Sequence, residues 1–523
     1  MGSNPIFAIC AVKFQKEVLF MNFMEKLNSV LKERTRLTEN GAVAYETSGK
    51  ALVDLNFAVS SLRNKSEKEI VRRFVRAFYE DRRLALKWLF FLRDVRGGLG
   101  ERRTFRIIIR YMAKSFPDTV MSLVPVMAEY GRFDDLLCLL DTPAEEKVMS
   151  TLKAQLYEDM ENLQIGESIS LCAKWMPSAN ASSSESAQAA AKLQRFFGLT
   201  AKEYRRMLSA LRSYLNVTET YMSQNRWSEI DYSAVSSRAN LVYRSAFMLH
   251  DEKRRTAYLD AARKNNAVMH AGVLMPHEIV AQYTARNGWR MSVGAEDTAL
   301  ETLWQNLPDT VSNAGNVLCV VDGSGSMLCP VGGGVTALHV SNALGVYFAE
   351  RLSGAYKNKF ITFSSAPKYV DLSRCLTLKE KLELAFSNSE CSNTNIEATF
   401  DLILETAVRN RLAQNELPKT VLIISDMEFD CATYRTDTET LFETIQNKFL
   451  RQGYLMPKLV FWNVNSRTNA VPVRENKLGV GLVSGFSVNV CRMVLSNELD
   501  PYTCLKNILD GERYRKVENC LCS

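Results

Sequence analysis

The sequence predicts a multidomain protein in which an all-α part is followed by an α/β part. Between Asn22 and Asn306, apolar residues recur at three- and four-residue spacing, as in Ile70-Val71-Phe74-Val75-Phe78, which is typical of amphipathic helices. From about Gly315, short apolar runs alternate with helical segments, which indicates parallel strands covered by helices on both faces. The 523 residues, 46% of them hydrophobic, suffice for two cores of this size.

The helical part is expected to form a solenoid or an irregular bundle. Many consecutive helices with short connections are typical of both architectures, and the sequence contains no clean fixed-period repeat. Small polar residues between Ser178 and Ala190 favour a loop or a weak helix. We assign residues 22–308 to this domain, residues 312–500 to the α/β domain and residues 501–523 to a C-terminal tail.

The α/β part is expected to be doubly wound and Rossmann-like, with its functional site at the carboxyl ends of its strands. Open parallel sheets bind ligands at this edge, near the point where the strand order switches. Strands are predicted at 316–321, 359–363, 420–424, 458–462 and 481–483, and helices at 336–352, 378–386, 396–408, 439–450 and 490–495.

Oxygen-bearing side chains follow two of these strands and precede one helix. The first strand leads into Asp322-Gly323-Ser324-Gly325-Ser326-Met327, the strand at 420–424 leads into Ser425-Asp426, and Ser392-Asn393-Thr394-Asn395 precedes a helix. If the three loops share one sheet edge, five hard oxygen ligands meet there, which suits Mg²⁺ with some retained water. An incomplete protein shell would leave a coordination position for a partner's carboxylate or phosphate. The predicted ligands are Asp322, Ser324, Ser326, Thr394 and Asp426.

Other interpretations of these loops make different predictions. Asp and Ser favour helix caps, so Asp322–Ser326 could be a cap and a turn without metal. A serine hydrolase needs glycine two residues either side of its nucleophile, and neither Ser324 nor Ser326 has this spacing. A Walker loop needs Gly-Lys-Ser or Gly-Lys-Thr, so Gly332-Gly333-Gly334 is interpreted as a flexible linker. His339 falls on the following helix, and no enzymatic constellation is evident.

The net charge of +7 is concentrated in two helical windows. Residues 81–110 contain nine basic and three acidic residues, and residues 192–214 contain six basic residues against Glu203 alone, with aromatic residues interleaved. Basic side chains neutralise phosphates, and aromatic rings stack on unpaired bases. The windows predict an RNA-binding surface that comprises Arg96, Arg102, Arg103, Arg106, Lys192, Arg195, Lys202, Arg205 and Arg206.

The alternative is that these charges belong to solvated helix faces with internal salt bridges. Under that interpretation Phe196 and Tyr204 belong to the core, and Arg93-Asp94 and Arg132 with Asp134-Asp135 form structural ion pairs. Charge runs on helices are commonly of this kind.

The three metal-binding pieces, in their order and spacing, resemble the metal-ion-dependent adhesion site of von Willebrand A domains. The resemblance covers roughly residues 312–500. It implies direct ligation by Ser324, Ser326 and Thr394, with Asp322 and Asp426 acting largely through water. Asn395 departs from the family pattern, because an acidic residue often stands at this position.

The helical part contains further distinctive motifs, which are Leu37-Thr38-Glu39-Asn40-Gly41-Ala42, Asp54-Leu55, the segment from Phe90 to Arg102, the segment from Tyr130 to Leu136 and the segment from Arg226 to Tyr232. Together with the downstream site they resemble the Ro autoantigen family, in which a helical TROVE module precedes a von Willebrand A domain. The resemblance is to a Ro-like branch and spans nearly the whole chain from about Leu37. It implies a HEAT-like helical ring that holds structured or single-stranded RNA, small non-coding or misfolded, as a ribonucleoprotein.

The remaining features favour a cytoplasmic protein. Twelve cysteines without a CxxC pair, together with only four histidines, fit a reducing compartment and give a zinc site little to draw on. Charged residues from Lys13 onward interrupt the apolar N-terminal stretch, so no signal peptide is expected, and no apolar run is long enough to span a membrane. Cys520-Leu521-Cys522 is a poor ligand set for zinc, so the tail is expected to be disordered or packed.

We therefore expect a monomeric, non-enzymatic RNA-binding protein with Mg²⁺, or another divalent cation, in its α/β domain, where it recruits a protein partner. The alternative is a protein-interaction scaffold or a self-assembling structural protein without an RNA role. In that case the metal site would bind a partner's carboxylate.

Overall fold

The computed structural model describes residues 35–37, 43–45, 47–287, 290–311, 315–364, 366–389, 395–428, 438–467, 480–491 and 500–522. Its N-terminal part is mostly helical, and an α/β domain with a six-stranded sheet follows. The predicted combination of a helical part and an α/β part is confirmed. In the described part of the chain, no helix is long and apolar enough to cross a membrane.

The helices of the N-terminal part form where apolar residues line one face. The helix from Glu67 to Glu80 begins at Ser66, whose hydroxyl accepts a hydrogen bond from the Glu69 N–H, and it buries Ile70 and Phe74. The helices are α1 (Ala51–Phe57), α2 (Val59–Leu62), α3 (Glu67–Glu80), α4 (Arg82–Arg93), α5 (Arg103–Ser115), α6 (Pro117–Leu123), α7 (Met127–Tyr130), α8 (Phe133–Leu136), α9 (Glu145–Ile165), α10 (Cys172–Trp175), α11 (Ser184–Phe197), α12 (Ala201–Tyr214), α13 (Thr218–Ser223), α14 (Ser237–Val242), α15 (Arg244–Arg263), α16 (Pro276–Tyr283) and α17 (Thr298–Gln305).

The N-terminal part also contains two antiparallel hairpins that the helical periodicity does not predict. One joins β1 (Thr35–Leu37) to β2 (Val43–Tyr45), and the other joins β3 (Thr284–Asn287) to β4 (Arg290–Val293). Strands of three or four residues are too short to show a clear two-residue alternation. The prediction that residues 22–306 are mostly helical therefore holds for this part as a whole but misses both hairpins.

The strands of the sheet are β5 (Val317–Asp322), β8 (Lys359–Phe363), β9 (Tyr369–Asp371), β10 (Thr420–Ser425), β11 (Lys458–Asn463) and β12 (Val480–Ser484). Their order is β12-β11-β10-β5-β8-β9, and all neighbouring strands are parallel except β8 and β9. The wholly parallel prediction misses β9, an edge strand of three residues. The helices are α18 (Ala337–Arg351), α19 (Leu378–Ser387), α20 (Ile396–Asn410) and α21 (Thr438–Arg451). The predicted helix at 490–495 falls mostly outside the described residues.

The three glycines after β5 form a turn and not the predicted linker. They connect β6 (Pro330–Gly332) to β7 (Val335–Thr336) in a small antiparallel hairpin. Gly332, Gly333 and Gly334 all have positive φ angles, of 109°, 60° and 78°. L side chains rarely adopt this conformation, so the run of glycines specifies the turn.

Alternate residues of the strands face two different cores. Val320 belongs to a core with α20 and α21, whereas Cys319 and Val321 belong to a larger core on the other face. That larger core continues without interruption into the helical part, from Leu52 to Val517. The two parts of the protein are therefore held together by shared apolar packing.

The C-terminal tail is helical and packed. It consists of α22 (Pro501–Leu509) and α23 (Arg515–Cys522), which contact α4 and its neighbours in the N-terminal part. The buried Lys87 ammonium lies 3.0 Å from an Asp510 carboxylate oxygen and also pairs with Glu518. Arg513 pairs with Asp94. The sequence predicts a tail that is either disordered or packed, and in the structure it is packed.

Replacing Gly345 by Ala tests the close packing of α18 on β5. A Cβ at this position would lie 2.5 Å from Val321 Cγ2, so the helix would have to move away from the strand. We expect Gly345→Ala to lower the free energy of unfolding by about 1–3 kcal/mol in urea denaturation. The matched control is Gly272→Ala, whose Cβ would come no closer than 4.0 Å to a neighbour. Equal stability of the two variants would contradict this packing.

Candidate functional site

The candidate metal centre lies where the sheet changes the direction of its strand order. β5 and β10 are adjacent, but the chain first adds β8 and β9 on one side of β5 and then β10, β11 and β12 on the other. The register places Ile424 beside Val321, so Asp322 and Ser425 end neighbouring strands at the same edge. This switch point is where open α/β sheets form a ligand-binding crevice.

Four of the five predicted ligands lie together at this edge. The hydroxyl oxygens of Ser324 and Ser326 are 2.9 Å apart, and the Ser326 hydroxyl lies near enough to Asp426 to oppose the rise in the pKa of that carboxyl. The Ser324 N–H donates to Asp322 Oδ1 at 2.9 Å, which folds the loop back on the end of β5. Asp322 is 0% exposed and Asp426 is 1% exposed. The fifth predicted ligand, Thr394, lies outside the described residues.

The chain on either side of Thr394 is described. Ser389 packs against the loop after β5, and a Cβ on Gly323 would lie 2.7 Å from Ser389 Cα. Gly323 is therefore required by this close approach. Asn395 is the N-cap of α20, and its side-chain oxygen accepts a hydrogen bond from the Ala398 N–H at 3.0 Å. Asn395 thus has a structural role at the position where the family pattern often has an acid.

The electrostatics of the site favour a cation. Burial, and then the nearby charge of Asp322, raise the pKa of the Asp426 carboxyl, and the Arg467 guanidinium opposes that shift. Two carboxylates that are buried together repel each other and lose hydration, and a divalent cation would relieve both costs. Carboxylates and hydroxyls are the hard oxygen donors that Mg²⁺ prefers. Among the described residues no group of three or more His, Cys, Asp or Glu side chains could hold a metal, so the hydroxyls are needed to complete this set.

Sequence reasoning assigned no role to four residues of this site. The Ser425 hydroxyl donates to Asp322 Oδ2 at 2.6 Å. Arg467 Nη2 lies 3.4 Å from Asp426 Oδ2, and Arg467 Nη1 donates to Cys329 Sγ at 2.8 Å. The Arg467 backbone N–H donates to Glu428 Oε1 at 2.7 Å. Because Arg467 follows β11 by four residues, the rule about strand ends applied to that strand would have pointed to it.

The helical part reaches this same edge of the sheet. Lys65, in the loop between α2 and α3, donates to the Arg467 carbonyl oxygen at 3.3 Å. The Phe57 carbonyl accepts a hydrogen bond from Asn463 Nδ2 at 2.8 Å. The loop that carries Arg467 is therefore held from both parts of the protein.

Most basic side chains of the first window, residues 81–110, form contacts within the protein. Arg102 lies 2.7 Å from Asp134, and Arg106 lies 2.7 Å from Asp135. Arg103 donates to the backbone carbonyls of residues 63 and 65. In the second window, Lys192 pairs with Asp141. Arg102, Arg106 and Lys192 thus form the internal salt bridges that the alternative interpretation expects, whereas Arg103 bonds to backbone carbonyls.

The predicted structural ion pairs are only partly those that form. Arg132 does pair with Asp134 at 2.6 Å, but Arg93 pairs with Asp135 and not with the adjacent Asp94. Arg96 is exposed on the loop after α4.

The second basic window keeps an exposed cationic face. Lys202, Arg205 and Arg206 lie on the solvent side of α12, and no carboxylate in the described structure lies within ion-pair distance of them. Arg195 is also exposed, beside Phe196, which is 39% exposed. Tyr204 is buried, as the alternative interpretation expects, whereas Phe196 is not. We call Arg195, Phe196, Lys202, Arg205 and Arg206 the α11–α12 face.

Two family models match the chain, and both carry the description "domain of unknown function". DUF2828 matches residues 38–156 and 180–317, and DUF7788 matches residues 316–513. The two matches meet where β5 begins. They do not name the Ro family, so membership of that family is not confirmed.

The proteins similar to the chain include a solved structure and a viral protein. The crystal structure of the RO (RSR) protein of Deinococcus radiodurans matches with a TM-score of 0.42 and 15% identity, over 84% of this chain and 93% of that one, a likeness too low to carry an argument. Uncharacterized protein L728 of Acanthamoeba polyphaga mimivirus is 31% identical over 516 residues, which cover 90% of this chain and 87% of the viral protein. At that identity and coverage, the chain belongs to the same family as the mimivirus protein L728.

Proposed function

We propose that this protein is a non-enzymatic binding protein whose α/β domain is of the von Willebrand A type. Its switch-point site would hold Mg²⁺, or another divalent cation, and present it to an acidic group of a partner. The observation that carries the proposal is the convergence of two buried carboxylates, Asp322 and Asp426, with the hydroxyls of Ser324 and Ser326. This donor set has the hardness and the limited charge that suit a cation with one open position.

The residues of the site would have two roles, which are ligation of the cation and positioning of its ligands. Ser324, Ser326 and the predicted Thr394 would bind the cation directly, and the two aspartates would act largely through water. When bound, the cation would supply a positive charge and a free coordination position. Ser425 orients Asp322 through the hydrogen bond between them, and it thereby fixes the carboxylate before the cation arrives.

The surroundings of Ser324 support a binding role over a hydrolytic one. Burial lowers the pKa of His339 to about 4. Its two ring nitrogens lie 2.9 Å from the Thr336 hydroxyl and 2.8 Å from the Thr284 hydroxyl. His339 is therefore committed to packing α18 against the helical part, and it is not placed to activate a serine.

We also propose that the helical part binds RNA on the α11–α12 face. The specific observation in favour is that three cations of α12 are exposed without carboxylate partners in the described structure, whereas Arg102 and Arg106 of the first window are paired with carboxylates. A HEAT-like ring is supported by the way both ends of the helical part meet the α/β domain. The Phe486 ring lies 3.9 Å from the Arg63 guanidinium at one end and 5.1 Å from the His277 ring at the other.

Replacing Asp426 by Asn tests the metal proposal with Mg²⁺ itself as the probe. We expect titration calorimetry to detect Mg²⁺ binding to the wild type and a loss of at least about 10-fold in affinity in Asp426→Asn. In EDTA the variant should be no less stable than the wild type, because the change removes one of two repelling buried charges. The control is Glu405→Gln, an exposed position on α20 of the same domain. Equal Mg²⁺ affinity in all three proteins, or none in the wild type, would contradict the proposal.

Charge reversal on α12 tests the RNA proposal. The triple variant Lys202→Glu, Arg205→Glu, Arg206→Glu should bind a mixed-sequence single-stranded RNA oligonucleotide more weakly than the wild type. Its salt slope should fall by about 2, because each phosphate contact to a single strand contributes about 0.7.

The matched control for this triple variant places the same charge change on exposed cations of the α/β domain. It is Lys357→Glu, Arg374→Glu, Arg409→Glu. RNA affinity and salt slope in the control should equal those of the wild type. If the α12 variant and the control respond alike, RNA does not bind through the α11–α12 face.

A further inference from the structure

A groove far in sequence from the metal centre lies between α3 and α5. Its volume is about 410 Å³, within the range of pockets that hold small organic ligands. Three cations of α5 line it, Arg106, Arg110 and Lys114, at four-residue intervals that place them on one side of the helix. Neither the metal proposal nor the α11–α12 face accounts for this groove.

The cations of the groove differ in how far they are already neutralised. Arg106 is paired with Asp135 at 2.7 Å and with Asp134 at 3.1 Å. Arg110 and Lys114 are exposed, and in the described part of the chain no carboxylate lies within ion-pair distance of either. The one acidic residue that lines the groove is Glu67, at the start of α3. Arg110 and Lys114 thus present adjacent positive charge to whatever enters.

The rest of the lining is apolar or neutral. Val71 of α3 and Ile107 of α5 form apolar walls, and Tyr111 adds an aromatic ring beside the two cations. Burial raises the pKa of the Cys138 thiol to about 12, so Cys138 is a neutral part of the lining at physiological pH. The groove therefore combines cations for an anionic group with a ring and aliphatic surface for a flat, partly apolar group.

We propose that this groove binds a nucleoside phosphate. The phosphate would lie between Arg110 and Lys114, because guanidinium and ammonium groups form strong charge-assisted hydrogen bonds to phosphate oxygens. The base would stack on Tyr111 against Ile107 and Val71. The same chemistry is offered by a free mononucleotide and by the 5′-terminal nucleotide of an RNA, and the second source would deepen the proposed RNA role of the helical part.

The test measures binding of AMP and UMP by calorimetry, and of RNA oligonucleotides with a 5′-phosphate or a 5′-hydroxyl by fluorescence. Arg110→Ala and Lys114→Ala should each weaken binding of the phosphorylated ligand roughly 10- to 100-fold. The matched control is Arg76→Ala, an exposed arginine of α3 that does not line the groove. All three positions are exposed on helices, so the variants should keep the wild-type circular dichroism spectrum.

Every outcome of this test either supports or overturns the proposed nucleoside phosphate site. Loss of AMP or UMP binding in the two groove variants but not in Arg76→Ala supports the proposal with a free nucleotide as the source. Binding confined to the 5′-phosphorylated oligonucleotide, and weakened in the same two variants, supports it with an RNA end as the source. Inorganic phosphate that binds as tightly as AMP would mean an adventitious ion only, and would overturn the proposal. So would groove variants that bind like the wild type, or a wild type that binds none of these ligands.

The two RNA proposals fail separately. If the α12 triple variant loses RNA binding while the groove variants bind nucleotides like the wild type, only the proposal of a nucleoside phosphate site fails. If the groove variants lose nucleotide binding as expected but the α12 triple variant binds RNA like the wild type, only the proposal that RNA binds the α11–α12 face fails.

Discussion

The burial of Asp322 and Asp426 at the ends of adjacent strands is the constraint on which the rest of the site depends. Parallel pairing of β5 with β10 forces the two carboxylates to one edge, and the shared core on both sides of the sheet withdraws them from water. Buried like charges are costly unless hydrogen bonds or a cation offset them. The Ser425 hydroxyl, the Ser326 hydroxyl and the Arg467 guanidinium all act on these two carboxylates.

That constraint connects the α/β domain to the helical part. Arg467 brings positive charge to Asp426, and its backbone is held by Glu428 of the same domain and by Lys65 of the helical part. The same N-terminal segment packs against the ends of β11 and β12, where the Ser60 N–H donates to Ser484 Oγ at 3.3 Å. At the far end of the chain, α22 and α23 fold back onto α4 through Lys87 and its acidic partners. The candidate metal centre is thus set in an interface between two packed parts, and not at the tip of an isolated domain.

The α/β domain was largely predictable from the sequence because its signals are local. A short buried run such as Lys359–Phe363 predicts a strand with its two ends. The rule that functional residues follow the carboxyl ends of parallel strands then predicts that Asp322 and Asp426 lie together. β9 and the hairpin of β3 and β4 were missed because strands of three or four residues carry too little periodicity.

The contacts that decide which charges are available were not predictable, because they join residues far apart in sequence. Asp134 and Asp135 lie about thirty residues from Arg102 and Arg106, yet they neutralise them. Arg513 reaches Asp94 from the tail, and the adjacent Arg93 pairs with Asp135. A count of basic residues along a window overstates the positive charge of the surface, because some of these residues form ion pairs within the folded protein.

The central claim is that the two buried aspartates and the two serine hydroxyls hold a divalent cation. The most direct measurement is anomalous scattering from a crystal of the protein soaked with Mn²⁺, which shares the oxygen ligands and octahedral geometry of Mg²⁺. The account predicts a single strong peak at the switch point, within coordinating reach of Ser324 and Ser326. A crystal with no peak there at saturating Mn²⁺ would contradict it.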